Sequence, residues 1–164
     1  MPDGLTPFDL AYEHVAALGG RRRRSNPIPS DVNGFWTNQS FHNYADYALS
    51  EDFRVGLEHL IVQGGKLRCA VMCSEAVWWR CHRRIIADYL IARDKTVFHI
   101  LGAGHVDAAR LNVGALIQSD GTVAYPSEEG TGEAAWRRSG SCAISPWNCA
   151  PGDFVIYSGL NICL

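Results

Sequence analysis

No apolar run in the 164-residue chain approaches the ~20 residues that a bilayer-spanning helix requires. The opening MPDGLTPFDL lacks the basic region and apolar stretch of a secretory signal. Neither membrane insertion nor export is therefore expected. Charge of one sign is lacking too: 15 Lys and Arg against 17 Asp and Glu leave a formal net charge of -2. Such a balance supplies no field to draw nucleic acid, which argues against that partner. The six cysteines include no C-x-x-C pair, which argues against a structural zinc finger. Without an export signal their thiols are expected to stay reduced, which points to the cytoplasm. There is no internal repeat, no implied cofactor, and nothing that sets an oligomeric state.

What remains is a composition 47% hydrophobic and 20% charged, that of a globular chain with one domain's length. The basic run Arg21 to Arg24 sits between Gly19-Gly20 and Pro27-x-Pro29, so it reads first as a solvated loop. Residues 40–62 are predicted helical in two segments, with Ser40 and Ser50 as N-caps. Phe53, Leu57, Leu60 and Ile61 fall on one face of the second, and Gly64-Gly65 ends it. Leu67 to Met72 reads as a buried strand and Cys81 or His82 to Arg93 as an amphipathic helix. Thr96 to Leu101 reads as another strand. Strand, helix and strand at this spacing predict a βαβ unit with two neighbouring parallel strands. Ala11 to Leu18 is strand-like. Asp120-Gly121 between two β-rich runs predicts a hairpin. The chain thus reads as α/β around a mostly parallel sheet over 1–126. Residues 127–164 form an aperiodic, poorly specified tail expected to add little to the core, its closing FVIYSGLNICL reading as one strand or as a plain apolar end.

One segment stands apart: VMCSEAVWWRCHRR at 71–84. Ligands of open α/β sheets bind beyond the carboxyl ends of strands. Cys73 falls where its strand should end, facing the N-terminus of the next helix, whose free N–H groups favour an anion. Loops after parallel strands gather at one sheet edge, so the loop at 19–24 is expected beside Cys73. The layout is analogous to that of rhodaneses and protein tyrosine phosphatases, with different spacing, since Arg80 lies seven residues after Cys73. Cys73, Cys81 and His82 are three candidate metal ligands. A zinc site needs a fourth donor, and adjacent residues on a helix are hard to aim at one ion, so no metal is expected. The bland alternative is a cysteine packed as a small hydrophobe at a strand end.

The pattern C-S-E-x5-C-H-R, here Cys73-Ser74-Glu75 and Cys81-His82-Arg83, resembles the signature of the bacterial family catalogued as domain of unknown function 488. So do ALGGRRR at 17–23, GFWTNQSFHNYADY at 34–47, IIADYL at 85–90, VFHIL at 97–101 and DGTVAYP at 120–126. The resemblance covers roughly 10–126 and implies a three-layer α/β sandwich of unestablished activity. Family members open with a strand and helix ahead of the Gly-Gly-Arg loop. Their lack here implies an N-terminally truncated sheet and a site without the arginine that this portion would bring. Residues 127–164 resemble nothing in the family, as an extension or a shifted reading frame would.

Three functions are open. The first is a thiol-dependent enzyme on a small anionic, phosphate- or sulfur-containing substrate. In it Cys73 is the nucleophile, Glu75, Cys81 or His82 assist, and Arg83 binds the anion. The second is a non-catalytic nucleotide or phosphometabolite module, with Arg21, Arg22 and Trp36 over the ligand. The third, a basic-aromatic surface for nucleic acid, suits a near-neutral chain least.

Overall fold

The computed structural model describes residues 5, 7, 9–24, 27–75, 77–102, 104–127 and 152–157. Cys142, Cys149 and Cys163 lie outside these, as does most of the expected tail.

Helix α1 (Gln39–Ala48) begins one residue ahead of the predicted cap. Asn38, not Ser40, is the N-cap, its side-chain oxygen accepting from the Ser40 N–H at 2.9 Å. Ser50 does cap α2 (Glu51–Gly64), accepting from the Phe53 N–H, and Glu51 and Asp52 meet the positive end of the helix dipole. The apolar stripe of α2 buries Phe53 and Leu57 and packs Leu60 and Ile61 against the core. The two closing glycines end the helix without left-handed backbone, since Gly65 has φ −69°. Gly64 serves a different purpose: a Cβ there would lie 2.2 Å from Cζ of Phe154, so only glycine lets that ring seat.

Helix α3 (Arg83–Ile91) buries Ile85, Ile86, Tyr89 and Leu90 as its periodicity requires. Strands β1 (Cys69–Val71) and β2 (Val97–Gly102) form where expected, and β3 (His105–Ala108) turns back antiparallel on β2. Leu116–Ile117 (β4) and Val123–Ala124 (β5) form the predicted hairpin, with Gly121 at φ 80° in the turn.

Three expectations are corrected. β1 and β2 are parallel in one sheet but not neighbours, because β6 (Phe154–Tyr157) runs between them, parallel to both, in the order β1-β6-β2-β3. The tail was expected to add little, yet Phe154 and Ile156 have no exposed surface and join the main hydrophobic cluster. At about 25 cal/mol per Å² of apolar burial, two such side chains contribute on the order of 4 kcal/mol. Finally, Ala11 to Leu18 is not a strand: 10–15 lack regular structure and Ala16–Leu18 is a single 3-10 turn against α2. The result is an α/β fold with a mixed, mostly parallel sheet and three helices among the described residues. No described helix is long and apolar enough to cross a membrane.

Candidate functional site

β1 ends at Val71, and the chain then crosses 72–82 before α3 begins. The crossing carries Cys73 and Glu75, both half-buried, then Trp79 and Arg80, both exposed, and then Cys81, 2% exposed. Opposite it lies the loop at 19–22. The two segments face each other across an open cleft of about 690 Å³. Gly19 to Arg22, Cys73 to Glu75 and Trp79 to His82 line it, with His14, Ser40 and Phe41 closing its side. The expected neighbourhood of the Gly-Gly-Arg loop and Cys73 is therefore present.

The turn into α3 is built around sulfur. The Arg83 backbone N–H and its Nε both donate to Cys81 Sγ, the latter at 3.1 Å. The Arg84 N–H goes to the Cys81 carbonyl and the Ile85 N–H to the His82 carbonyl. The first N–H groups of α3 are thus used within the protein, which corrects the expectation that they stand free for an anion. Arg83 is corrected likewise. It has no exposed surface, and its Nη2 donates to the Glu75 carbonyl, so it ties the 75–83 loop together below the cleft. Burial pushes the Cys81 thiol up, and the two Arg83 donors partly offset that.

His82 is held from several sides. Its ring lies 4.9 Å from that of Tyr44 and is hydrogen-bonded to the Leu18 carbonyl. A Cβ on Gly20 would sit 2.2 Å from His82 Nδ1, so glycine is what lets the loop close over the imidazole. Burial, with Arg83 nearby, pushes His82 down to about 4, leaving a neutral imidazole at neutral pH. Cys81 Sγ stands 3.5 Å from His82 Nδ1, and donor atoms of Cys73, Cys81 and His82 all lie within 4.8 Å of one another. Adjacent residues on a helix were expected to be hard to aim at one ion, yet these two bring Sγ and Nδ1 to 3.5 Å. Both precede the first residue of α3, with His82 as its N-cap.

The remaining predicted residues separate. Arg21 is exposed at the cleft rim. Arg22 is half-buried and committed: Nη2 donates to the carbonyls of Ala16 and Ala17, at 2.7 and 3.0 Å, with the guanidinium 3.8 Å over the Tyr47 ring. Trp36 is not a lid. It is 7% exposed in the core, stacked on Phe41 and edge-on to Tyr125, with Arg84 above its ring. His14 and Ser40 were missed, and nothing in their spacing marks them.

Fold and site together define an α/β protein with a thiol–imidazole cluster at the end of a parallel strand. The family model described as domain of unknown function DUF488 matches residues 1–90, more than half of the chain, and the chain belongs to that family. The matched residues include the Cys-Ser-Glu and Cys-His-Arg segments. VFHIL and DGTVAYP fall beyond them. Neither the curated proteins nor the solved structures contain a match to this chain.

Proposed function

We propose that the cleft carries a thiol-dependent reaction on a small anionic molecule, phosphate- or sulfur-containing, with Cys73 as the nucleophile. The observation that supports this reading best is the shared cleft. The half-buried Cys73 lines it together with two exposed arginines, Arg21 and Arg80, carried by facing loops. An anion between those loops gains charge-assisted hydrogen bonds while its reacting atom meets the sulfur. Glu75 and His82 line the same cleft and are the groups placed to move a proton there. Arg83 and Cys81 position: they shape the loop that presents Cys73 and Glu75. A reducing compartment such as the bacterial cytosol keeps such a thiol available.

The test is differential alkylation of reduced, chelator-treated protein with iodoacetamide, mapped by peptide mass. Cys73 should label ahead of Cys69 and the buried Cys81, and phosphate or sulfate should slow it. Labelling of Cys73 no faster than Cys69, unaffected by either anion, overturns the reading. If a ligand found by thermal shift binds but alkylated Cys73 costs only affinity, the cleft is a binding module.

A further inference from the structure

We propose that Cys73, Cys81 and His82 form a binding site for a thiophilic divalent cation, zinc in the first place, with a fourth coordination position open to the cleft. Among the described residues these three are the one group of thiol, imidazole and carboxylate donors close enough to share an ion. Their spacing fits the metal. With Zn–S near 2.3 Å and Zn–N near 2.0–2.1 Å, tetrahedral geometry puts a sulfur and a nitrogen ligand about 3.6 Å apart. Cys81 Sγ and His82 Nδ1 are 3.5 Å apart, and Cys73 completes a triangle whose longest side is within 4.8 Å. A rotation about the half-buried Cys73 side chain closes the remaining ångström or so.

The surroundings behave as an outer shell. The imidazole is hydrogen-bonded to the Leu18 carbonyl, tilted against the Tyr44 ring and roofed by Gly20, so its orientation is set before any ion arrives. Cys81 Sγ accepts from Arg83 Nε, the arrangement that stabilises a metal-bound thiolate. Two soft sulfurs and one nitrogen select zinc over magnesium or calcium, which take oxygen ligands. Three protein ligands and one open position describe a reactive rather than a closed site, and the open position faces the cleft where Arg21 and Arg80 stand. Both sulfurs would bind as metal-coordinated thiolates. The inference does not rest on the proposed reaction: a loaded site ties up the Cys73 sulfur, so ion and free nucleophile are alternative states of one atom.

The experiment titrates cobalt(II), as a spectroscopic stand-in, and then zinc into the reduced full chain. One equivalent of cobalt should give a thiolate-to-metal charge-transfer band that zinc abolishes. Zinc should also protect Cys73 of the unaltered protein from iodoacetamide, and a chelator should restore labelling. Changing a shell residue alone costs ~10–100-fold in metal affinity, so Cys73→Ser and His82→Ala should each cost at least on the order of 100-fold. Cys69→Ser and the triple change Cys142→Ser, Cys149→Ser and Cys163→Ser should keep the band. Absence of the band, its persistence in both ligand variants, or zinc that leaves Cys73 labelling unchanged would overturn the assignment. Anion protection of Cys73 in chelator-treated protein is independent of all three outcomes, so the two proposals fail separately.

Discussion

Helix α3 carries two buried polar clusters, one at its N-terminus and one a turn and a half further on, and they are finished differently. At Asp88, which has no exposed surface, every acceptor is used. Oδ1 takes the Asn112 N–H at 3.0 Å, and Oδ2 takes Tyr125 Oη at 2.7 Å and Asn112 Nδ2 at 2.5 Å. Arg84 adds an Nη2 donor to Asn112 Oδ1, while its Nη1 donates to the Trp79 carbonyl. At Cys81 the sulfur accepts from Arg83 and stands 3.5 Å from His82 Nδ1, and Cys73 joins these two donor atoms within 4.8 Å at the wall of a cleft. A buried polar cluster closed on itself is architecture, because its members have spent their hydrogen-bonding capacity on one another. One whose donors converge on open space has capacity left for a ligand. Breaking the first should cost stability and leave site chemistry alone; perturbing the second should do the reverse.

The largest effect is expected from Asp88→Ala, which strands Tyr125 Oη in the core and takes two acceptors from the half-buried Asn112. A loss of about 3 kcal/mol should appear in urea unfolding, since buried groups deprived of partners carry their full desolvation cost. Cobalt binding by the folded fraction should be unchanged; an altered charge-transfer band would show that the two clusters are one.

The same carboxyl yields a pH effect of similar size. Burial raises Asp88 to about 6 in the folded chain, against about 3.9 unfolded. Between those values the folded chain keeps a proton that the unfolded chain has released. Asp88 therefore withdraws stability as pH rises from about 4 to about 6, a change of about 3 kcal/mol at 1.36 kcal/mol per pKa unit. His99, buried and pushed down to about 4, acts oppositely: the unfolded chain takes its proton below about 6.5, so stability falls as pH falls. In the unaltered protein the two slopes oppose. Relative to it, Asp88→Asn should gain stability between pH 4 and pH 7. A difference that stays constant over that range would mean that Asp88 titrates normally.

Gly64→Ala comes next. The added methyl meets Phe154 at 2.2 Å, and overpacking of this kind costs about 1–3 kcal/mol. Because Phe154 belongs to β6, this variant measures how much the central strand holds. A neutral result would leave β6 loosely seated.

β6 is also where reading the sequence stopped short. The helices at 39–64 and 83–91 and the hairpin at 116–124 are set by local pattern: caps, a 3.6-residue apolar stripe, an Asp-Gly turn. FVIY at 154–157 carries no period and follows a long stretch of small residues. Only its partners, Cys69 to Val71 on one side and Val97 to Ile100 on the other, make it central. β3 was hidden likewise, as a short polar strand flanked by glycine. At the site, the spacing of cysteines and histidine was legible as a cluster. The fate of each arginine was not, because Arg83 is absorbed by a carbonyl eight residues back and Arg22 by the turn at 16–17. Trp36 looked like a lid because an aromatic near a basic loop is ambiguous until Phe41 and Tyr125 are seen around it.

Gly20→Ala should have the smallest effect on stability and the most selective effect on the site. Its Cβ would fall 2.2 Å from His82 Nδ1 and 2.6 Å from Cε1, too close to coexist. Unlike the Phe154 ring beneath Gly64, this imidazole borders an open cleft and can swing aside. The cost in folding should therefore stay at about 1 kcal/mol, that of one lost hydrogen bond. What the swing removes is the position of Nδ1 beside Cys81 Sγ and the hydrogen bond to Leu18. Zinc affinity should drop by ~10–100-fold, as when an outer-shell contact is lost, while the urea midpoint barely moves. Phosphate protection of Cys73 in chelator-treated protein should survive, because Arg21 and Arg80 are untouched. A drop in midpoint as large as that of Gly64→Ala, with zinc affinity intact, would place His82 with Asp88 among the closed, structural groups and erase the contrast between the two ends of α3.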